Sequence, residues 1–306
     1  MSDQQQLIAP RTFTLPKKGE VIVCRDCNYY LGDQIGTGAF GAVYDCTDDW
    51  DNHLVAKVIL PQNRSYEQVK EEWLNELKAL VEVRHPNITF IYDAFEYRDT
   101  FYIVVERCHS TLTELILWPN LTPEIWLPYI ARDILNGLEF IHNRGFVHKD
   151  LHPGNIYVKQ IQDRMVPHKD PVWVFKIGDL GISRLEGDIR LFNTLLAQWM
   201  VPPEFLDPGQ FGILDRHVDI YHTGLLLLGL LMKQIPNFTR EQILQGLPRQ
   251  IAEALPSPYG PVVAKALRRH VDSRIPSALQ MWKEILGVDI QGLQKSIPKN
   301  LLPPET

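Results

Sequence analysis

The chain has 306 residues, of which 45% are hydrophobic and 22% charged, with a formal net charge of −6. This composition is typical of a globular protein and excludes disordered and collagen-like chains. The negative charge argues against general nucleic-acid binding, and four cysteines are too few for a disulfide-rich secreted scaffold. From the charge we expect no nucleic-acid partner. The first residues, MSDQQQLIAP, show no signal-peptide pattern, so we expect a cytoplasmic protein.

The N-terminal third of the chain predicts a short extension and then a strand-rich region with one helix. Residues 1–28 are polar and contain proline, which predicts an N-terminal extension. In residues 29–49, two β-prone runs flank a glycine-rich turn, a pattern that predicts a hairpin. A short apolar strand (HLVAKVIL) follows, and EQVKEEWLNELKALVEVR has the apolar spacing of a helix. Two more predicted strands, ITFIYDAFEY and FYIVVE, complete this region.

Beyond Arg107 the pattern changes to helices. The segments TPEIWLPYIARDILNGLEFIHNRG and HVDIYHTGLLLLGLLM predict the two longest helices, and shorter ones follow to about Leu286. The longest apolar run, GLLLLGLLM, has about half the length that a membrane span requires, so we expect a buried helix and no membrane span. A strand-rich region followed by a helical region predicts an α+β fold.

Three glycines of the predicted hairpin turn, Gly36, Gly38 and Gly41, form a G-x-G-x-x-G pattern. Glycine lets the backbone approach phosphate oxygens closely, with its N–H groups turned toward them. The pattern lies between two predicted strands, whereas a dinucleotide-binding fold places it between a strand and a helix. It therefore indicates a flap over the phosphates of a nucleotide, with an ordinary flexible turn as the alternative.

Lys57 lies in the next apolar strand, 21 residues after Gly36. A lysine in such a strand either reaches solvent or pairs with an anion, because burying a lone ammonium group is costly. Glu76 on the predicted helix could supply the carboxylate, and Glu72 one turn earlier is the competing partner. The spacing to the following HPNI turn favours Glu76.

The stretch HKDLHPGN, residues 148–155, contains groups that suit phosphoryl transfer. Asp150 could orient or accept the proton of a hydroxyl group, and Asn155 could bind a metal ion through its amide oxygen. Asp179 follows another short apolar strand, in the turn KIGDLG. A carboxylate and an amide from two loops suit Mg²⁺, which takes oxygen ligands and accompanies phosphates.

The order of these motifs resembles that of the eukaryotic-type protein kinase family over about residues 29–286. The resemblance rests on GTGAFGAVY, VAK, HPNI, HKDLHPGN, DLG, MVPPEF and VDIYHTG. It implies a bilobal protein kinase fold, with a β-rich N-lobe at 29–106, a larger helical C-lobe at 107–290 and a C-terminal tail at 291–306. It also implies an ion pair between Glu204 and Arg274.

The resemblance further implies ATP and Mg²⁺ as cofactors and a protein hydroxyl as the acceptor, Ser or Thr before Tyr. Self-phosphorylation is a further expectation. The implied catalytic residues are Asp150, Lys57, Asn155 and Asp179, and Asn155 and Asp179 are the implied metal ligands. The nucleotide would be bound by Gly36, Gly38, Phe40, Gly41, Val43, Val55, Lys57, Glu76, Glu106 and Cys108, and the backbones of Glu106 and Cys108 would contact its adenine.

The chain departs from the family pattern at several positions. His152 stands where serine/threonine kinases usually carry lysine, and the loop HxDLHPGN is similar to that of aminoglycoside and choline phosphotransferases, which share the fold. Lys149 replaces the usual arginine and keeps its charge without the forked geometry. Ala197 lies near the usual position of a threonine in serine/threonine kinases. Two alternatives to an active protein kinase therefore stay open: a small-molecule phosphotransferase and a nucleotide-binding pseudokinase.

Overall fold

The computed structural model describes residues 13–37, 41–61, 63–81, 83–162, 165–166, 170–179, 184–185 and 200–288. Within these ranges the chain forms two compact units. The first lies within Met1–Glu82 and Phe90–Arg107, and the second lies within Val83–Thr89 and Cys108–Thr306.

The first unit is built on a six-stranded antiparallel sheet with one helix. The strands are β1 (Val21–Val23), β2 (Asn28–Thr37), β3 (Gly41–Asp48), β4 (His53–Ile59), β5 (Ile91–Tyr97) and β6 (Thr100–Glu106), and the helix is α1 (Tyr66–Val81). Their order across the sheet is β1-β2-β3-β4-β6-β5. β2 and β3 form the predicted hairpin. β1 was not predicted, because three residues are too few for a readable alternation, and it lies within the stretch interpreted as an extension.

Apolar side chains cover both faces of this sheet. One cluster is formed mainly by β2, β3, β4 and β6 and includes Leu54, Ala56 and Val58 of β4. The other packs β4 and β6 against α1, where the predicted apolar positions Val69 and Trp73 are buried. Trp73 also donates its indole N–H to the Tyr102 carbonyl, at 3.1 Å. The helix is thereby fixed to the sheet by both apolar contact and a buried hydrogen bond.

The second unit is mainly helical. Its helices are α2 (Leu112–Leu117), α3 (Pro123–His142), α4 (Pro203–Leu206), α5 (Pro208–Phe211), α6 (His217–Met232), α7 (Arg240–Gln245), α8 (Leu247–Ala254), α9 (Gly260–Ala266) and α10 (Ala278–Leu286). Short strands accompany them: β7 (Ser110–Thr111), β8 (Phe146–Val147), β9 (Ile156–Ile161), β10 (Val172–Ile177) and β11 (Arg184–Leu185). β10, β9 and β7 form one small sheet, and β11 pairs with β8.

Helix α6 is the centre of this unit. Its residues from Val218 to Leu230 are all buried, as expected of a helix that is apolar around its whole circumference. No helix in the described part of the chain is long and apolar enough to span a membrane. An antiparallel sheet in one unit and helices in the other confirm the predicted α+β class and the bilobal protein kinase fold.

Candidate functional site

The first unit places Lys57 on one face of its sheet together with two of the predicted nucleotide contacts. Val43 of β3 is the cross-strand partner of Lys57. Val55 lies two residues before Lys57 on β4 and therefore points to the same face. The intervening Ala56 points to the opposite face and is buried there. The two valines and the lysine thus line one surface, as the predicted nucleotide site requires.

The glycine-rich turn is described only at its two ends. Gly36 lies near the end of β2 and pairs with Val43, and Gly41 begins β3. A Cβ atom at Gly41 would come within 2.6 Å of the Val58 carbonyl oxygen, so the close approach of β3 to β4 requires glycine there. Gly38 and Phe40 lie outside the described residues.

Two further predicted contacts of the first unit lie on its helix and its last strand. Glu76 belongs to α1, but its side chain is outside the described part, so its pairing with Lys57 stays a prediction. Glu106 ends β6, where its buried carboxylate accepts the Phe90 N–H at 2.8 Å. The side chain of Glu106 thus links β6 to the residue before β5. The adenine contact expected of Glu106 would be made by its backbone and stays a prediction. Cys108 is half-buried in the second unit.

The backbone of the HKDLHPGN loop is held by a buried carboxylate. Asp219 of α6 accepts the N–H groups of His148, at 2.9 Å, and Lys149, at 2.8 Å. Its Oδ2 is also 2.8 Å from Nε2 of His142. Burial alone would raise the pKa of Asp219, but the hydrogen bonds from His142 and the backbone outweigh burial and lower it. An ionised aspartate inside the unit therefore fixes the start of the loop.

His148 links this loop to the turn that carries Asp179. Its Nδ1 accepts the Asp150 N–H at 3.3 Å, so the proton is on Nε2, which donates to the Gly178 carbonyl at 3.0 Å. The Gly178 N–H in turn donates to the Asn155 carbonyl at 2.8 Å. These bonds bring the predicted residues Asp150, Asn155 and Asp179 into one connected backbone network.

Asn155 and Asp150 are also joined by their own groups. Asn155 Nδ2 donates to the Asp150 carbonyl oxygen at 2.9 Å and is 3.5 Å from its Oδ2. Because the amide nitrogen is directed to Asp150, the amide oxygen is left as the atom able to bind a cation. This arrangement fits the expected metal role. No group of three His, Cys, Asp or Glu side chains among the described residues could hold a metal ion alone, so phosphates and water would complete the coordination.

Gly178 is required by the packing of the small sheet. A Cβ atom there would lie 2.0 Å from the ring of Tyr157 on β9, which is incompatible with any side chain. Asp179 follows with an exposed side chain and a left-handed backbone, at φ 52°. The strand before it, β10, is held by Asn87 of the HPNI turn, which accepts the Ile177 N–H at 2.9 Å and donates to the Phe175 carbonyl at 3.1 Å. Sequence reasoning uses this turn for spacing and for the family resemblance and misses its role in positioning Asp179.

His152 and Gly154, the departures from the family pattern, fit each other. His152 Nδ1 accepts the Gly154 N–H at 3.1 Å, and a Cβ atom at Gly154 would lie 3.0 Å from the ring. His152 Nε2 is 3.9 Å from Asp150 Oδ2, too far for a direct hydrogen bond. Burial lowers the pKa of His152, although the nearby Asp150 carboxylate partly opposes this. A side chain at position 154 would crowd the His152 ring, so glycine fits this position best.

The predicted pair of Glu204 and Arg274 is present and fully buried. Arg274 Nη1 donates to Glu204 Oε1 at 2.6 Å, and Nη2 donates to Glu204 Oε2. The remaining three N–H groups donate to the backbone carbonyls of Arg268, Arg269 and His217. All five N–H groups of the guanidinium therefore have an acceptor. The guanidinium group also lies over the Tyr221 ring, 4.8 Å from its centroid. The segment that begins α4 is thus tied to the loop before α10.

Asp219 is the residue of this site that sequence reasoning did not assign. The sequence marks it only as part of VDIYHTG, yet its carboxylate holds the backbone of the HKDLHPGN loop. The sequence does offer a signal, which is an aspartate in the first turn of a helix that is otherwise apolar. A buried carboxylate there must accept hydrogen bonds from another segment of the chain.

Comparison with known proteins agrees with this geometry. A family model described as protein kinase domain matches residues 29–290. The chain is 28% identical over 212 residues to cyclin-dependent kinase D-1 of Arabidopsis thaliana, covering 67% of this chain and 49% of that protein. It is 26% identical over 224 residues to the cell cycle serine/threonine-protein kinase CDC5/MSD2 of Saccharomyces cerevisiae, covering 72% and 30%. It is 28% identical over 211 residues to the serine/threonine-protein kinase TAO2 of Xenopus laevis, covering 67% and 19%. The chain spans about half or less of the length of these relatives.

Proposed function

The chain belongs to the protein kinase domain family, and we propose that it is an active kinase that transfers the γ-phosphate of Mg-ATP to a hydroxyl group of a protein. Serine and threonine are the proposed acceptors. The relatives named as serine/threonine-protein kinases support this preference, at 26–28% identity. The cytoplasm is the proposed location.

The observation that carries the proposal is the arrangement around Asp150. Its backbone N–H is bonded to His148, and its backbone oxygen is bonded to the Asn155 amide at 2.9 Å. The carboxylate is therefore presented from a backbone fixed at both sides, which suits a residue that must position an acceptor hydroxyl. In this proposal Asp150 orients that hydroxyl and accepts its proton as the phosphoryl group is transferred.

The other predicted residues have binding and orienting roles in the proposal. Asn155, through its amide oxygen, and Asp179, through its carboxylate, hold Mg²⁺, which when bound neutralises charge on the phosphates. Lys57 binds the α- and β-phosphates, and Glu76 orients Lys57. The glycine-rich turn covers the phosphates, with Gly36, Gly38, Phe40 and Gly41 as its proposed contacts. The adenine lies against Val43 and Val55 and is bound by the backbones of Glu106 and Cys108.

A small-molecule phosphotransferase is the second candidate, and one observation favours it. His152 and Gly154, which belong to the HPGN sequence that resembles the loop of small-molecule phosphotransferases, lie against each other, and the Gly154 N–H donates to His152 Nδ1. The buried pair of Glu204 and Arg274 favours a protein substrate, because the resemblance associates that pair with protein kinases.

The test is the intact mass of the pure protein after incubation with Mg-ATP, beside an Asp150→Asn variant. We expect the wild-type protein to gain one or more phosphate groups and the variant to gain none. Mapping the modified residues then decides between Ser/Thr and Tyr acceptors. If no phosphate is gained, turnover on amino alcohols and aminoglycosides tests the second candidate, and failure there with retained ATP binding indicates a pseudokinase.

A further inference from the structure

A group of exposed apolar side chains lies at one end of the sheet of the first unit. Val21 and Tyr30 are directly opposed across β1 and β2, and Val23 lies two residues from Val21 on the same face. Trp50 stands in the turn between β3 and β4. These residues, hereafter the Trp50 patch, are 42% (Val21), 44% (Tyr30), 66% (Val23) and 70% (Trp50) exposed. A cluster of large apolar side chains in water is unfavourable unless another surface covers it.

Hydrogen bonds hold the backbone of the turn that carries Trp50. The carboxylate of Asp48 accepts the N–H of Trp50 and the N–H of Asn52, both at 2.9 Å, and the Asn52 side-chain amide at 2.8 Å. The Tyr30 hydroxyl donates to Asp49 at 3.0 Å, and the Asn28 N–H donates to the same carboxylate at 2.8 Å. The turn that carries Trp50 is thus tied to β2. The backbone that carries Trp50 is therefore ordered before binding, which lowers the entropy cost of an interface in which tryptophan is a frequent energetic centre.

Uncompensated negative charge surrounds this patch. Residues 19–56 contain seven acidic residues and a single arginine, Arg25, with no lysine. Three of the acids are paired with basic side chains elsewhere in the unit: Glu20 with Arg98, Asp33 with Lys18 and Asp45 with Arg107. The other four (Asp26, Asp48, Asp49 and Asp51) have no lysine or arginine partner among the described residues, and they cluster in the two turns beside Val23 and Trp50.

We propose that the Trp50 patch is a docking surface for a segment of another protein in which lysine or arginine residues flank an apolar centre. The apolar centre covers Trp50, Tyr30 and the two valines, and the basic residues pair with Asp26, Asp49 and Asp51. Negative potential excludes nucleic acids and anionic lipid surfaces as occupants. The patch contains none of the residues proposed to bind nucleotide, and the inference does not depend on catalytic activity.

The test uses the full chain and a short fluorescein-labelled peptide with a leucine centre and lysines at both ends. Fluorescence anisotropy should give saturable binding that weakens several-fold as salt rises from about 50 to about 300 mM. The same peptide with glutamates in place of the lysines should not bind. Trp50→Ser is expected to weaken binding about tenfold, and Asp49→Asn with Asp51→Asn should weaken it and remove most of the salt dependence.

A matched control changes an exposed leucine and an exposed acid elsewhere, Leu286→Ser with Asp272→Asn, and should bind as the wild type does. The thermal unfolding of each variant checks that it is folded, and Val23→Ser replaces Trp50→Ser if the latter unfolds early. Absence of binding to the wild type, equal binding by the patch variants, or an equal loss in the control overturns the proposal. Concentration-dependent dimerisation that Trp50→Ser abolishes would assign the patch to a second copy of the chain instead.

Discussion

Lys149 and Asp179 both have left-handed backbone conformations, with φ angles of 69° and 52°. This conformation costs a non-glycine residue about 1–3 kcal/mol and persists only where the surroundings impose it. At Lys149 the Asp219 carboxylate imposes it by accepting the N–H at 2.8 Å. Asp219 therefore contributes to the site through the backbone, by holding the loop in the conformation that presents Asp150.

His85 is a residue for which the structure predicts a pH dependence of stability. Its Nδ1 accepts the Asn87 N–H at 3.1 Å, and its ring lies 4.7 Å from that of Phe140. Burial, followed by the positive charges of Arg144 and Lys176, lowers the pKa of His85 below its ordinary value. The unfolded chain thus binds the proton more tightly than the folded chain. The resulting stabilisation is complete above about pH 6.5 and is lost as the pH falls below it.

We expect His85→Asn to reduce the slope of the free energy of unfolding against pH below about pH 6.5, the ordinary pKa of histidine. An asparagine oxygen can accept the same N–H group two residues later, so the turn should be retained without a titrating group. Urea unfolding at a series of pH values measures the slope. An unaltered slope in His85→Asn would contradict the assignment.

At the scale of elements, the pair of Glu204 and Arg274 joins the segment of α4 to the loop before α10. Both side chains are fully buried. Loss of one partner leaves a buried charge uncompensated, which typically costs about 3–5 kcal/mol, whereas replacing both with apolar residues costs much less. Since every donor of Arg274 is used, lysine cannot substitute for the forked group.

Arg274→Met should therefore lower the free energy of unfolding by about 3–5 kcal/mol. The double variant Glu204→Met with Arg274→Met should be more stable than Arg274→Met alone. Chemical denaturation of the two variants and the wild type measures both effects. As a control, Arg249→Met removes an exposed partner of Glu253 and should cost less than about 1 kcal/mol. Equal costs for Arg274→Met and Arg249→Met would show that the buried pair is not structurally important.

The elements that could be predicted are those whose pattern is local. The spacing of Val69 and Trp73 predicts α1, and the glycine-flanked runs predict the β2–β3 hairpin; both are present. β1 could not be predicted, because its stability comes from pairing with β2 and not from its own three residues. The packing of His152 against Gly154 also depends on a three-dimensional fit that single residue types do not indicate.

At the scale of the whole molecule, the predicted α+β fold and kinase family are confirmed, whereas the roles of individual site residues stay predictions. The difference has a physical reason. A fold depends on many positions whose apolar pattern is redundant, while a site depends on a few atoms whose position is set by distant residues such as Asp219 and Asn87. Motif order identifies the atoms, but the hydrogen-bond network that orients them follows only from the folded chain.

A ligand that binds only the folded chain raises its stability, by about 2.7 kcal/mol when the ligand is at 100 times its dissociation constant. If the proposed nucleotide site is correct, Mg-ATP should therefore raise the unfolding temperature of the chain by several degrees, and ATP with EDTA should raise it less. Asp179→Asn should remove the difference in unfolding temperature between ATP with and without Mg²⁺, because it removes a proposed metal ligand.

Lys57→Met should reduce the rise in unfolding temperature both with and without Mg²⁺, because Lys57 is proposed to bind the phosphates. The control, Lys18→Met, changes an exposed lysine of the same unit that pairs with Asp33 and should not reduce it. Differential scanning fluorimetry measures all of these shifts. Since binding does not require transfer, a shift that keeps its Mg²⁺ dependence in Asp179→Asn would reject the metal assignment even if the protein proves to be an active kinase.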